Sequence, residues 1–146
     1  MICPYCGYKE SKVTNKRNVE KIVRRRRECL GCKRRFTTYE RPEIGITVIK
    51  KDGTRQEYNR GKLKAGFLKA CEKRPISREK IDKAIEKIEE VLLKKGGEVK
   101  SRVIGELVMK ELKKIDKVAY IRFASVYKEF KDVSDFKSEL KEIGTR

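Results

Sequence analysis

Four of the five cysteines form two Cys-x-x-Cys pairs, Cys3-Pro4-Tyr5-Cys6 and Cys29-Leu30-Gly31-Cys32, with 22 residues between them. Zinc takes four ligands at the corners of a tetrahedron, and each pair can donate two thiolates from one tight turn. Gly7 and Gly31 read as positions where the turn backbone must be free of a β-carbon. Two redox dithiols are the competing reading, but no thioredoxin-like βαβ pattern surrounds the pairs. Spacing alone does not separate zinc from a rubredoxin-like iron. Four thiolates leave no open coordination position, so the metal is expected to be structural. Binding free energy for such a site is about 10 kcal/mol or more and doubles as folding energy, so the metal-free segment is expected to be unfolded. Cys71 stands apart, on the inner face of a predicted helix, and reads as a small buried hydrophobe.

The chain contains no histidine. A metal must therefore be held by cysteine or carboxylate, and any mechanism that needs an imidazole base is excluded. Formal net charge is +18, and 42% of residues are charged. A surplus that large opposes compaction unless a polyanion offsets it. Half of it lies in residues 1–41, where thirteen Lys and Arg face four acids. Arg24-Arg25-Arg26-Arg27 precedes the third cysteine, and Lys33-Arg34-Arg35 follows the fourth. On a strand, Arg24 and Arg26 would share one side and Arg25 and Arg27 the other. Arginine suits bidentate contacts to phosphate or guanine. We therefore expect Arg17, Arg24, Arg25, Arg26, Arg27, Arg34 and Arg35 to form a nucleic-acid face. A plain solvated charge run is the alternative. Tyr5, Phe36 and Tyr39 read as the small core of this segment rather than as stacking platforms. No apolar stretch is long enough to span a bilayer, and no signal-like segment opens the chain, so a cytoplasmic protein with no membrane partner is expected.

The composition shifts near Arg41-Pro42-Glu43. The expected fold class is α+β, with a small β-rich zinc ribbon at residues 1–41, a linker and first strand at 42–48, a second domain at 46–132, and a C-terminal helix or tail at 133–146. Ile22 to Glu28 and Phe36 to Tyr39 read as strands. Ile46 to Lys50 and Arg55 to Tyr58 read as a hairpin around Asp52-Gly53. Helices are predicted from Asn59, with Leu63, Phe67, Leu68, Ala70 and Cys71 inside; from Ser77, with Ile81, Ala84, Ile85, Ile88 and Leu92 inside; and from Ser101 and Asp116. A short last helix from Ser134 would carry Phe136, Leu140 and Ile143. The hairpin lysines and Asn59-Arg60-Gly61-Lys62-Leu63 could cradle a phosphate, but a hairpin with surface lysines reads equally well, and no Walker-type loop occurs.

The full pattern resembles the bacterial NrdR family of transcriptional repressors of ribonucleotide reductase operons. The likeness rests on Cys-Pro-Tyr-Cys-Gly, the run from Arg24 to Arg41, Val48 to Gly53, Ala70 to Pro75, Ile104 to Met109, and Val118 to Asp132. It implies a zinc ribbon that reads paired operator boxes in double-stranded DNA. It also implies an ATP-cone, a β-hairpin with a helical bundle that binds ATP or dATP without hydrolysis. By position, Lys50, Lys51 and Lys62 would meet phosphates, Gly53 would make the turn, and Val48 and Leu63 would border the base or sugar. Gln56 stands where a glutamate usually contacts the nucleoside. The resemblance further implies a non-enzymatic homo-oligomer whose state follows the bound nucleotide. Against it stand a detached regulatory piece of the reductase, an RNA- or ribosome-associated ribbon without nucleotide sensing, and a rubredoxin-like electron carrier.

Overall fold

The computed structural model describes residues 1–19 and 22–144 and divides into two compact units, Met1–Glu43 and Ile44–Arg146. The first unit is a three-stranded antiparallel sheet. Strands β1 (Ser11–Val19), β2 (Ile22–Cys29) and β3 (Arg35–Glu40) lie in the order β1-β2-β3. Val23 opposite Glu40 and Glu28 opposite Arg35 set the β2–β3 register. The β1–β2 ladder shifts between Val13 and Asn15, where the Thr14 hydroxyl donates to the Arg26 carbonyl at 3.1 Å.

The second and third strands match the sequence reading, but β1 was not foreseen. Its residues lack the alternation of a half-buried strand, and all but Ser11 are exposed. It exists because β2 offers it a ladder. Among the described residues of this unit only Cys3 and Cys29 are buried. The expected aromatic core is absent: Tyr5 and Tyr39 are exposed at 54% and 57%, and Phe36 is half-buried. The cysteine cluster itself is the interior.

The second unit begins with the hairpin β4 (Thr47–Ile49) and β5 (Arg55–Glu57). Gly53 adopts φ +85° in its turn, a backbone state that residues with a β-carbon rarely enter. Helix α1 (Arg60–Ala70) starts at Asn59, whose side chain accepts from the Lys62 amide. Helix α2 (Arg78–Lys95) starts at Ser77, whose hydroxyl accepts from the Lys80 amide, and ends at Gly96. A short strand β6 (Glu98–Lys100) then pairs parallel to β4, giving the sheet order β5-β4-β6. It leads directly into α3 (Ser101–Ile115). Asp116 caps α4 (Lys117–Tyr127), and α5 (Val133–Gly144) closes the unit.

One hydrophobic core runs through this unit. It contains Ile46, Phe67, all five predicted α2 positions, Val99, Val108, Leu112, Ala119, Tyr120, Ala124 and Ile143. Cys71, the cap at the end of α1, is part of this core, and burial pushes its thiol up. Three apolar residues expected inside are not. Leu68 is exposed at 42%, Leu140 at 54%, and Phe136 packs edge-on against Phe130 at the surface. On α5 the inward positions are Ile143 and Glu139. Glu139 is buried with its carboxylate on the Tyr120 hydroxyl at 2.5 Å and on Lys128 at 2.7 Å. A helical face can be filled by a charge only when partners of this kind meet it.

Candidate functional site

The two cysteine turns are built alike. In the first, the Gly7 amide donates to the Cys3 carbonyl and the Cys3 amide to the Tyr8 carbonyl, at 3.0 and 2.9 Å. In the second, Lys33 donates to Cys29 and Cys29 to the Arg34 carbonyl, at 3.1 and 3.0 Å. Amides also point at sulfur: Tyr5 at Cys3 Sγ and Cys32 at Cys29 Sγ, both 3.4 Å. The residue that must turn left-handed is Gly7 (φ +72°) in one turn and Lys33 (φ +60°) in the other. Gly31 is needed for a different reason, because a β-carbon there would come within 2.9 Å of Tyr8 Cγ.

All four sulfurs lie within 4.8 Å of one another, with Cys3 to Cys32 at 3.7 Å and Cys6 to Cys29 at 3.6 Å. Four thiolates about 2.3 Å from a central ion stand about 3.8 Å apart, so this spacing fits a tetrahedral metal. Burial pushes the Cys3 thiol up, but amide donation from Tyr5 and Cys6 and the neighbouring thiols outweigh it and bring it down to about 7. Cys32, despite an amide bond from Arg34, is pushed up to about 11 by burial and the thiols around it, so the case for a metal is the spacing of the sulfurs. The residues can therefore hold a metal, and the geometry leaves no place for a substrate on it.

The arginines divide between the two faces of the sheet. Arg24 lies opposite Arg17, and Arg26 opposite Asn15, and these four line one cleft of about 190 Å³. On the same face Glu28 accepts from Lys12 and Arg35 at 3.0 and 3.2 Å, and this holds its carboxyl below the usual range. Among the described residues no carboxylate pairs with Arg17, Arg24 or Arg26. On the other face Arg25 grips Glu40, with nitrogen–oxygen distances of 2.9 and 3.1 Å, and Arg27 donates to the Thr38 hydroxyl at 3.1 Å. Arg34 lies over the Tyr5 ring, 5.3 Å from its centroid.

In the second unit the hairpin, α1, α3 and α4 line an open cavity of about 640 Å³, a size that suits a small-molecule ligand. Val48, Lys50, Lys51, Gln56, Lys62 and Leu63 all line it. Gly53 stands outside the lining, in the turn that carries the two lysines, with its amide on the Lys50 carbonyl at 3.0 Å. Asp52 closes that turn by accepting from the Thr54 amide and hydroxyl, and these bonds hold its carboxyl low.

The rest of the wall was not anticipated. Ile104, Gly105 and Val108 come from α3, and Phe123, Val126 and Tyr127 from α4. A β-carbon on Gly105 would overlap the Tyr127 ring, whose hydroxyl donates to the Arg102 carbonyl at 2.8 Å. Burial pushes the Tyr127 phenol up. A glycine in the interior of α3, where helix propensity disfavours it, was the one local signal available. The cavity is lined by cations from the hairpin and α1 and by apolar and aromatic groups from α3 and α4, which can receive a polyanion joined to a flat apolar group.

A ribbon whose four thiols can hold a metal, followed by a hairpin-and-helix unit with a cavity of ligand size, defines a protein with a metal-binding module and a small-molecule-binding fold. Residues 1–40 match the family model described as Transcriptional repressor NrdR-like, N-terminal domain, and residues 46–133 match the ATP cone domain. The chain belongs to the NrdR family of transcriptional repressors. Its relatives include proteins named Transcriptional repressor NrdR from Petrotoga mobilis, 54% identical over 98% of both chains, and from Clostridioides difficile, 53% identical over 98% of this chain and 95% of the other. A third, from Desulfitobacterium hafniense, is 56% identical over 98% and 96%. These names describe regulators and not enzymes. No helix among the described residues is long and apolar enough to cross a membrane.

Proposed function

We propose that the protein is a nucleotide-sensing repressor that binds operator boxes upstream of ribonucleotide reductase genes. In this reading Cys3, Cys6, Cys29 and Cys32 hold one structural zinc. The ion fixes a sheet that otherwise buries almost nothing. The face bearing Arg17, Arg24 and Arg26 meets the phosphates and base edges of double-stranded DNA. Arg25 and Arg27 steady the sheet through Glu40 and Thr38. Their substitution should weaken DNA binding less than that of the opposite face.

The second unit binds ATP or dATP, with the triphosphate against Lys50, Lys51 and Lys62 and the nucleoside toward Val48, Gln56 and Leu63. The observation that carries this is the convergence of these six residues on one cavity of nucleotide size. The dATP-loaded form favours a homo-oligomer that spaces its ribbons to match two boxes. The coupling is reciprocal, so operator DNA tightens the repressing nucleotide by the same factor.

The test is a fluorescence-anisotropy titration on DNA from the organism's own reductase promoters, with ATP, dATP or no nucleotide. Different affinities among the three are expected, along with a slope of log K on log salt near about −5 if roughly six phosphates are neutralised. Equal affinity in all three would remove the sensing claim. Lys62→Ala should abolish the nucleotide response while zinc content stays at one per chain.

A further inference from the structure

Helix α4 ends in a conformation its sequence does not favour. The Phe130 amide donates to the Ser125 carbonyl at 3.0 Å, and the Glu129 amide to the Val126 carbonyl at 3.2 Å. These are the two bonds of a Schellman close, in which the residue at the left-handed position is usually glycine. Here it is Glu129, with φ +54°. Its side chain reaches the mouth of the cavity, where Oε1 accepts from Lys51 Nζ at 3.1 Å, across 78 residues of sequence. Asp52, the other acid on the lining, is turned into its own hairpin by Thr54.

We infer that Glu129 is a stand-in anion for the phosphate subsite, held on Lys51 until a polyphosphate displaces it. The inference rests on the nucleotide reading of this cavity. The pair is exposed on both sides, 72% for Lys51 and 76% for Glu129, so it is weak and can yield. A ligand carrying several negative charges takes the lysine and repels the carboxylate. A nucleoside without phosphates does neither. Glu129 therefore lowers the affinity for every triphosphate by a fixed factor and leaves the binding of an uncharged nucleoside unchanged.

Calorimetric titration of the full-length, zinc-loaded protein tests this, with ATP and with adenosine, each with and without Mg2+. Glu129→Gln removes the charge. Glu129→Gly removes the charge and also suits the left-handed backbone. In both variants the ratio of ATP to adenosine affinity should rise about two- to fivefold, as for loss of an exposed competing pair, and less so at high salt. In a Lys51→Ala background the same substitutions should give no gain. An unchanged ratio would overturn the inference. So would a loss of ATP affinity seen only with Mg2+, which would make Glu129 a metal ligand instead. If the unaltered protein binds ATP and Lys62→Ala does not, the nucleotide reading stands whatever Glu129 does. Absence of ATP binding by the unaltered protein would remove both.

Discussion

Gly7 and Gly31 look equivalent in the sequence, one just after the first cysteine pair and one inside the second, yet they answer different constraints. Gly7 supplies a left-handed turn that Lys33 achieves in the other knuckle with a β-carbon. Gly7→Ala should therefore cost only about 1 kcal/mol. Gly31 leaves room for the root of the Tyr8 ring, which cannot swing away without moving its backbone. Gly31→Ala should weaken metal binding more than Gly7→Ala in a competitive chelator titration. The opposite order would contradict this assignment. Asp116 is the other instructive residue. It accepts from Arg74 at 2.8 Å and caps α4 through the Ala119 amide at 2.9 Å, and those bonds hold its carboxyl below the usual range. Asp116→Ala should lower stability by about 1 kcal/mol through the lost cap alone. A depressed carboxylate stabilises above its unfolded pKa, and that contribution fades as pH falls through the folded value. Thermal melts of the two proteins should therefore converge as pH drops from about 5 toward 2.

At the scale of elements, α3 and α4 show how a helix pair can be tuned for a site rather than for stability. Glycine inside α3 forfeits about 1 kcal/mol of helix propensity relative to alanine. Gly105 forfeits it so that Tyr127 of α4 can lie against the α3 backbone and wall the cavity. Gly105→Ala should thus fail to stabilise the protein. Overpacking should instead lower stability by about 1–3 kcal/mol and weaken ATP binding, as read by melting and calorimetry. A more stable variant with intact ATP affinity would show that the ring relaxes freely. The helix starts were legible because Asn59, Ser77 and Asp116 carry cap chemistry in a local signal. The strands β1 and β6 were not. Each is short of apolar pattern and exists only because a neighbour supplies hydrogen-bond partners, β2 in one case and β4 in the other.

On the scale of the whole molecule, the two units differ in what holds them together. The first buries Cys3 and Cys29 and little else, whereas the second has a continuous core from Ile46 to Ile143. Stripping the metal with a strong chelator at neutral pH should therefore melt the first unit and leave the second folded. Amide hydrogen exchange should show protection lost in β1–β3 and kept in α2–α4. Simultaneous loss in both would mean that the second unit depends on the first. The sequence by itself determined the two cysteine turns, the alternation of the arginine strand, the hairpin turn and the helix starts, because each is specified by residues within a few positions of one another. Only tertiary structure decided that Arg17 joins Arg24 and Arg26, what lines the cavity behind the lysines, and that Glu129 occupies a glycine's conformation. Those depend on strand register and on contacts between residues far apart in the chain, which local chemistry does not encode.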